Sequence, residues 1–215
     1  MYSKKKFSLS LLIILSIFFE HSLAAQDFIV KGGLNYANIS KAKVSSFNST
    51  SKSGYFAGIG ITPGVGLVRF NSELLYSKQG YDYKNGTTRG AVDLQYLLFP
   101  QSVSLNFGYI LQIHTGLQFG FISNIKIDSS SNTGQVFDLE NIAKNINKVN
   151  VAILGGVEVS PIRELFFGLR YNHGLGNFLK KNSDDKLVFA PDKNLKNNLI
   201  QIYAGLKFSL ARYSR

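Results

Sequence analysis

The chain contains no cysteine. That excludes a disulfide framework and a thiolate metal site, and it closes the lipid-anchored lipoprotein route, which needs a cysteine after the leader. Histidine is almost as scarce. Only His114 and His173 follow the N-terminal leader, and neither has a partner at a metal-ligand spacing such as H-x-x-x-H. A second long apolar run is also missing. Phe7 to Phe19 spans thirteen residues, three of them serine, and nothing later approaches the roughly 18 residues of a spanning helix. Gly58-Ile59-Gly60 and Gly64-Val65-Gly66 lack the helix and the Lys-Ser/Thr of a phosphate loop, so they read as strand and turn glycines.

What is present begins with an export signal. Lys4, Lys5 and Lys6 form a basic start, the apolar run follows, and Ser22-Leu23-Ala24-Ala25 supplies small residues for cleavage. Residues 1–25 have the tripartite form of a secretory signal peptide, with cleavage expected near Ala25, and residues 26–215 form one domain. Of the 24 basic and 13 acidic residues, Lys4, Lys5, Lys6 and Glu20 fall in the leader, leaving a net charge of about +9. A basic exported chain meets anionic lipid or polysaccharide phosphate, not nucleic acid.

The mature chain alternates with a period of two. In Leu67 to Tyr81, Val68, Phe70, Leu74 and Tyr76 share one face, broken only by Ser72, while Arg69, Asn71, Glu73 and Ser77 share the other. Phe28, Val30, Leu34 and Tyr36 oppose Ile29, Lys31, Gly33 and Asn35; Tyr55 to Ile61 alternates in the same way. The fourth segment sets Val92, Leu94, Tyr96 and Leu98 against Asp93 and Gln95. Beyond Pro100 the parity reverses, and Val103, Leu105 and Phe107 oppose Ser102, Ser104 and Asn106. Either a bulge or a turn at Pro100 accounts for that reversal. Four further segments, around Ile113–Phe121, Val149–Val159, Phe167–Gly174 and Ile200–Leu210, repeat the pattern. Each pairs an aliphatic and aromatic face with one of glycine, amide, hydroxyl and charge.

A soluble barrel would scatter charge over its outer face. Here the apolar face is nearly free of it, which predicts an all-β, eight-stranded antiparallel up-and-down transmembrane β-barrel with the apolar face toward lipid. Connections agree. Thr62-Pro63-Gly64, the region of Gly108, and Ser160 to Arg163 are short, whereas Ser40 to Ser53, Asp128 to Asn147 and Asn177 to Asn197 are long and polar. Asp82 to Arg89 reads as a shorter hairpin around Asn85-Gly86. Tight turns at one end and long loops at the other are the asymmetry of an outer-membrane barrel, with both termini at the periplasmic end.

Short motifs carry a family likeness: K-G-G-L-N at Lys31, S-E-L-L-Y-S-K-Q-G at Ser72, Pro100, G-L-Q-F-G-F-I-S at Gly116, and R-Y-N-H-G-L-G-N at Arg170. Through these the mature chain resembles the PorT-type outer-membrane β-barrel family of Bacteroidetes-like bacteria. It departs from the family pattern in carrying Ser72 where a proline usually precedes the E-L-L-Y glutamate. The resemblance implies an outer-membrane barrel of a Gram-negative bacterium, of largely unassigned function, one branch of which is tied to protein secretion.

The period-two reading places Lys31, Arg69, Glu73, Asp93, Glu158, Arg170 and Lys207 inside, as an interior charge network with a structural role. An eight-stranded lumen is narrow enough for such side chains to fill it. No catalytic, cofactor-binding or metal site is expected. His173, near Asp184 and Asp185, would need a serine that nothing in the sequence fixes, and His114 reads as an interior hydrogen-bonding residue. Lys41, Lys43, Lys52 and the lysines from Lys180 to Lys196 read either as solvated loop or as contacts to lipopolysaccharide phosphate. The expected role is structural, surface-binding or secretion-accessory, with outer-membrane lipid, lipopolysaccharide and envelope or secretion proteins as partners. A monomer is expected. A narrow solute pore, a rim enzyme and a soluble periplasmic β-barrel are the competing readings.

Overall fold

The computed structural model describes residues 26–39, 47–64, 66–85, 88–130, 146–176 and 196–209; the leader and its cleavage site lie outside the described residues. Among the described residues there are eight strands: β1 (Gln26–Ile39), β2 (Phe47–Pro63), β3 (Val68–Asn85), β4 (Thr88–Phe107), β5 (Leu111–Ser130), β6 (Val149–Val159), β7 (Leu165–Gly174) and β8 (Asn197–Ser209). Each pairs antiparallel with its sequence neighbours, and β8 returns to β1 from Asp27↔Ser209 to Ile39↔Asn197. The sheet is a closed barrel, so every strand has a partner on both sides of the wall and no edge is left along its closed part.

Alternation decides what the wall faces. Val30, Leu34, Tyr55, Ile59, Phe70, Leu74, Ile153, Leu169 and Ile202 point outward and are exposed, whereas their neighbours Lys31, Asn35, Phe56, Glu73, Arg170, Gln201 and Tyr203 are buried in the lumen. A soluble protein would not leave such an apolar belt in water, and a bilayer covers it. Tyr36, Tyr55, Tyr76 and Tyr171 stand at the loop end of the belt, with Phe28, Phe107, Phe167 and Phe208 at the end that carries the termini. Aromatic side chains at both borders suit the two membrane–water interfaces.

Two features differ from the sequence expectation. The first is β4, which runs without interruption through Pro100; the residue pairs Leu98↔Gly120, Pro100↔Gln118 and Ser102↔Gly116 keep one register. Val92, Leu94, Tyr96, Leu98, Pro100, Ser102 and Ser104 all face the interior, so the parity never reverses. What changes at the proline is the chemistry of the lumen. Its periplasmic half is mostly polar, with Ile29 and Phe166 buried among the charges, but its outer half is an apolar core of Leu75, Tyr81, Val92, Leu94, Tyr96 and Leu98, joined by Ile146. An alternating pattern alone gives no sign for which face is inside when the interior is itself apolar.

The second is strand length. β2 to β5 have 17, 18, 20 and 20 residues, well beyond the roughly 9–11 that cross a bilayer. They continue past the barrel at the loop end. Residues 47–53, 82–85, 88–89 and 128–130, expected as loop, are strand, and Asn85↔Thr88 closes a two-residue hairpin. One-residue register shifts, between Ser51 and Phe56 on β2 and opposite Gln95/Tyr96 on β5, accompany the extension. At the second, Ile122 and Ile125 both pack on the apolar core. The remaining parts of the long connections, residues 40–46, 131–145 and 177–195, lie outside the described residues.

The start of β1, the end of β8 and the β2–β3, β4–β5 and β6–β7 connections share one end of the barrel. An epitope inserted in the β3–β4 hairpin is therefore expected to bind antibody on intact cells, and one beside Pro161 only after the outer membrane is breached. The reverse labelling pattern would invert this orientation.

Candidate functional site

Three pairs of partners in the lumen meet across a strand that carries glycine between them. Lys31 on β1 is level with Gly58 on β2, and Gly60 on β2 is level with Glu73 on β3. With no side chain in the way, Lys31 Nζ reaches Glu73 Oε1 at 2.6 Å. His114, Gly156 and Arg170 form one row across β5, β6 and β7. Arg170 Nε donates to His114 Nε2 at 3.2 Å over the glycine. Glu158, Gly168 and Tyr203 form another row across β6, β7 and β8, and the Tyr203 hydroxyl donates to Glu158 Oε1 at 2.8 Å. A Cβ on Gly156 would stand 2.6 Å from His114 Nε2, and one on Gly168 only 2.3 Å from the Tyr203 ring. These two glycines are held by close approach, since any side chain would displace a buried group.

Glu73 is the hub. Arg170 grips it in a two-point fork, NH1 to Oε2 at 2.9 Å and NH2 to Oε1 at 2.8 Å, while Lys31 takes Oε1 from the other side. Glu158 lies 3.8 Å from Lys31 Nζ. The Tyr203 ring stacks beneath both cations, 4.5 Å from Lys31 Nζ and 5.6 Å from the Arg170 guanidinium. Lys31, Arg170, Glu73 and Glu158 balance in charge, and each is at most 6% exposed. Buried ions persist only where opposite charge and hydrogen bonds replace water, and the fork geometry supplies both.

The structure divides the seven residues singled out in the sequence. Lys31, Glu73, Glu158 and Arg170 meet in this cluster. Arg69 faces the lumen nearer the periplasm, where NH1 bonds Asp27 Oδ2 at 2.6 Å, and Ser209 Oγ bonds the other oxygen of Asp27. Lys207 faces the same mouth, 5.5 Å above the Phe166 ring. There the lumen opens as a vestibule of about 710 Å³ that also includes Arg163 and Glu164. Asp93 is a correction: it points outward, above the apolar belt, paired with Lys52 at 2.7 Å and with Lys78 at 4.0 Å. The cause is the unbroken parity of β4, which turns its odd residues outward here. Asp27 and Tyr203 complete the two groups. Extending the β1 alternation back from Lys31 through Ile29 reaches Asp27, and Tyr203 already lies on the polar face of β8.

Above the cluster, Asn35, Ser77, Gln79, Asn172, Asn197 and Gln201 form an amide and hydroxyl layer with contacts of 2.8 to 3.2 Å. His173, by contrast, is on the outward side of β7, and Asp184 and Asp185 lie outside the described residues. Among the described residues no group of three or more acidic, histidine or cysteine side chains could hold a metal ion.

An outer-membrane barrel family model, described as "Outer membrane protein beta-barrel domain", matches residues 24–180. The chain belongs to this family. It is an integral outer-membrane β-barrel protein. Among solved structures it is similar to Ail, the attachment invasion locus protein of Yersinia pestis, at 10% identity and a TM-score of 0.46, covering 85% of this chain and 99% of that one. Similarity extends to OprG from Pseudomonas aeruginosa, at 14% identity and 0.45, covering 86% and 97%. Neisserial surface protein A gives 15% identity and 0.46, covering 84% and 97%. No curated protein matches the sequence.

Replacing Glu73 by Ala strands two buried cations and is expected to destabilise the barrel by about 3–5 kcal/mol, read from urea unfolding in lipid vesicles. Gly168→Ala, the smallest possible side chain, is expected to cost about 1–3 kcal/mol by pushing the Tyr203 ring off Glu158. A neutral result for either variant would contradict the packing described.

Proposed function

We propose that this chain is a closed, non-conducting and non-enzymatic barrel of the PorT-type branch, serving as a membrane-anchored platform for surface binding or secretion. The observation that carries this reading is the Glu73 cluster. Side chains from β1, β3, β5, β6, β7 and β8 meet in it, and the amide layer and the apolar core lie above it. In a lumen as narrow as that of eight strands, ions bound to one another in this way leave no continuous water column. The narrow-pore reading would require the same charges to line a path instead of filling it.

The platform reading draws support from the outer end. β2 to β5 continue beyond the membrane as a paired sheet, giving the protein ordered surface outside the bilayer. Directly above the aromatic border, Lys52 and Lys78 pair outward with Asp93, whose β5 neighbour is Lys126. Lysines at headgroup height suit the phosphates of outer-membrane lipid and lipopolysaccharide. A link to secretion rests on the PorT-like motifs alone, and envelope proteins are the partners it implies.

In planar bilayers, the purified protein is expected to give no steady conductance, and Glu73→Ala intermittent openings at most. A stable, ion-selective channel in the unmutated protein would overturn the closed-lumen reading.

A further inference from the structure

The amide layer above the ion cluster ends in an oxygen that the protein leaves unsatisfied. Asn35 Nδ2 donates to Ser77 Oγ at 2.8 Å and to the backbone carbonyls of Tyr55 at 3.1 Å and Lys78 at 3.0 Å. Carbonyls only accept, so this contact fixes which way the Asn35 amide is turned. Its Oδ1 then accepts from Gln201 Nε2 at 3.0 Å, and Gln201 Oε1 in turn accepts from Asn172 Nδ2 at 3.2 Å. Orientation passes from the backbone through three side chains to Asn172. Its Oδ1 is buried and has no hydrogen-bond partner.

Further oxygens surround the same space. Gln118 Oε1 is buried without a partner, as is Asn150 Oδ1, beside which the Tyr96 hydroxyl lies, and together with Asn172 they line a void of about 20 Å³. Tyr96 and Asn172 are each 1% exposed. A site needs only about 10–15 Å³ to hold one water molecule.

We propose that this void binds a single structural water. With the Tyr96 hydroxyl beside Asn150, the Asn172 and Gln118 oxygens are left to be met, and the two donors of one water meet them. Asn172 Oδ1, whose orientation the amide chain fixes, turns a lone pair to the void, which suits a donor and not an anion. An alkali cation would also satisfy the carbonyls, but it would add a charge to a lumen in which Lys31 and Arg170 already balance Glu73 and Glu158. Taking an unbalanced ion out of bulk water is far more costly than immobilising a water molecule. The water completes the amide layer and so fixes one arrangement of it. This goes beyond closure by the ion cluster and stands whether or not the barrel conducts.

The test is a high-resolution crystal structure of the full chain, grown with sodium and then soaked in thallium. One peak in the void, at hydrogen-bonding distances of about 2.7–3.2 Å from Asn172 Oδ1 and its neighbours, is the expected result, with no thallium anomalous signal there. An empty void, or a thallium peak, would overturn the proposal. Ala152→Val gives a second readout, because Ala152 is buried against the void and the added methyls would occupy it. The variant is expected to lose the peak and unfold at a lower temperature than the unmutated protein. If the void is dry, the methyls fill a cavity instead, and an unchanged or raised unfolding temperature would count against the water.

Discussion

A carboxylate held away from water must be matched by charge and hydrogen bonds, and the architecture of this barrel follows from meeting that requirement at Glu73. Arg170 reaches it across the lumen from β7 and Lys31 from β1, strands that are not its neighbours. The Lys31 approach works only because the intervening strand presents Gly58 and Gly60, and Gly156 in turn lets His114 reach Arg170. The second acid, Glu158, is held by Tyr203 across Gly168, and the Tyr203 ring lies against both cations. Glycine on the polar face thus sets the reach of each long side chain. The cluster is one unit.

Its position divides the interior. On the outer side lie amides and then an apolar core that continues into the extended β2–β5 sheet; on the periplasmic side the lumen widens into a charged vestibule. Stability and function are linked through this layering. The buried cluster fixes the barrel interior in one arrangement. The lipid-facing wall contributes little chemistry beyond solubility in the bilayer. Even Ser72, the departure from the family pattern, is satisfied within the wall by Gln101 at 2.9 Å.

Much of this was legible in the chain. The alternation in Leu67 to Tyr81 placed Arg69 and Glu73 inside and Phe70, Leu74 and Tyr76 outside, as found, because a half-lipid, half-polar strand separates cleanly by parity. The same rule failed at β4. There Val92, Leu94, Tyr96 and Leu98 are as apolar as any lipid-facing set, and only packing against Leu75 and Ile122 shows that they point inward. The error at Asp93 follows directly from it. Strand extension was hidden for a different reason: residues such as Ser49, Thr50 and Ser51 carry a loop composition, and their pairing with Tyr83, Asp82 and Tyr81 is a tertiary fact. The grouping of residues into a central cluster and a periplasmic pair depended on strand register, which period two does not contain.

The central claim is that Glu73 and Arg170 act as a coupled pair at the heart of the barrel. A double-mutant cycle measures that coupling, using Glu73→Leu, Arg170→Met and the double variant in reversible unfolding from lipid vesicles. The account expects the double variant to be much less destabilised than the two single variants summed, by about 1.5–3 kcal/mol. Additivity within about 0.5 kcal/mol would contradict it, because two groups bound by a buried fork cannot respond independently.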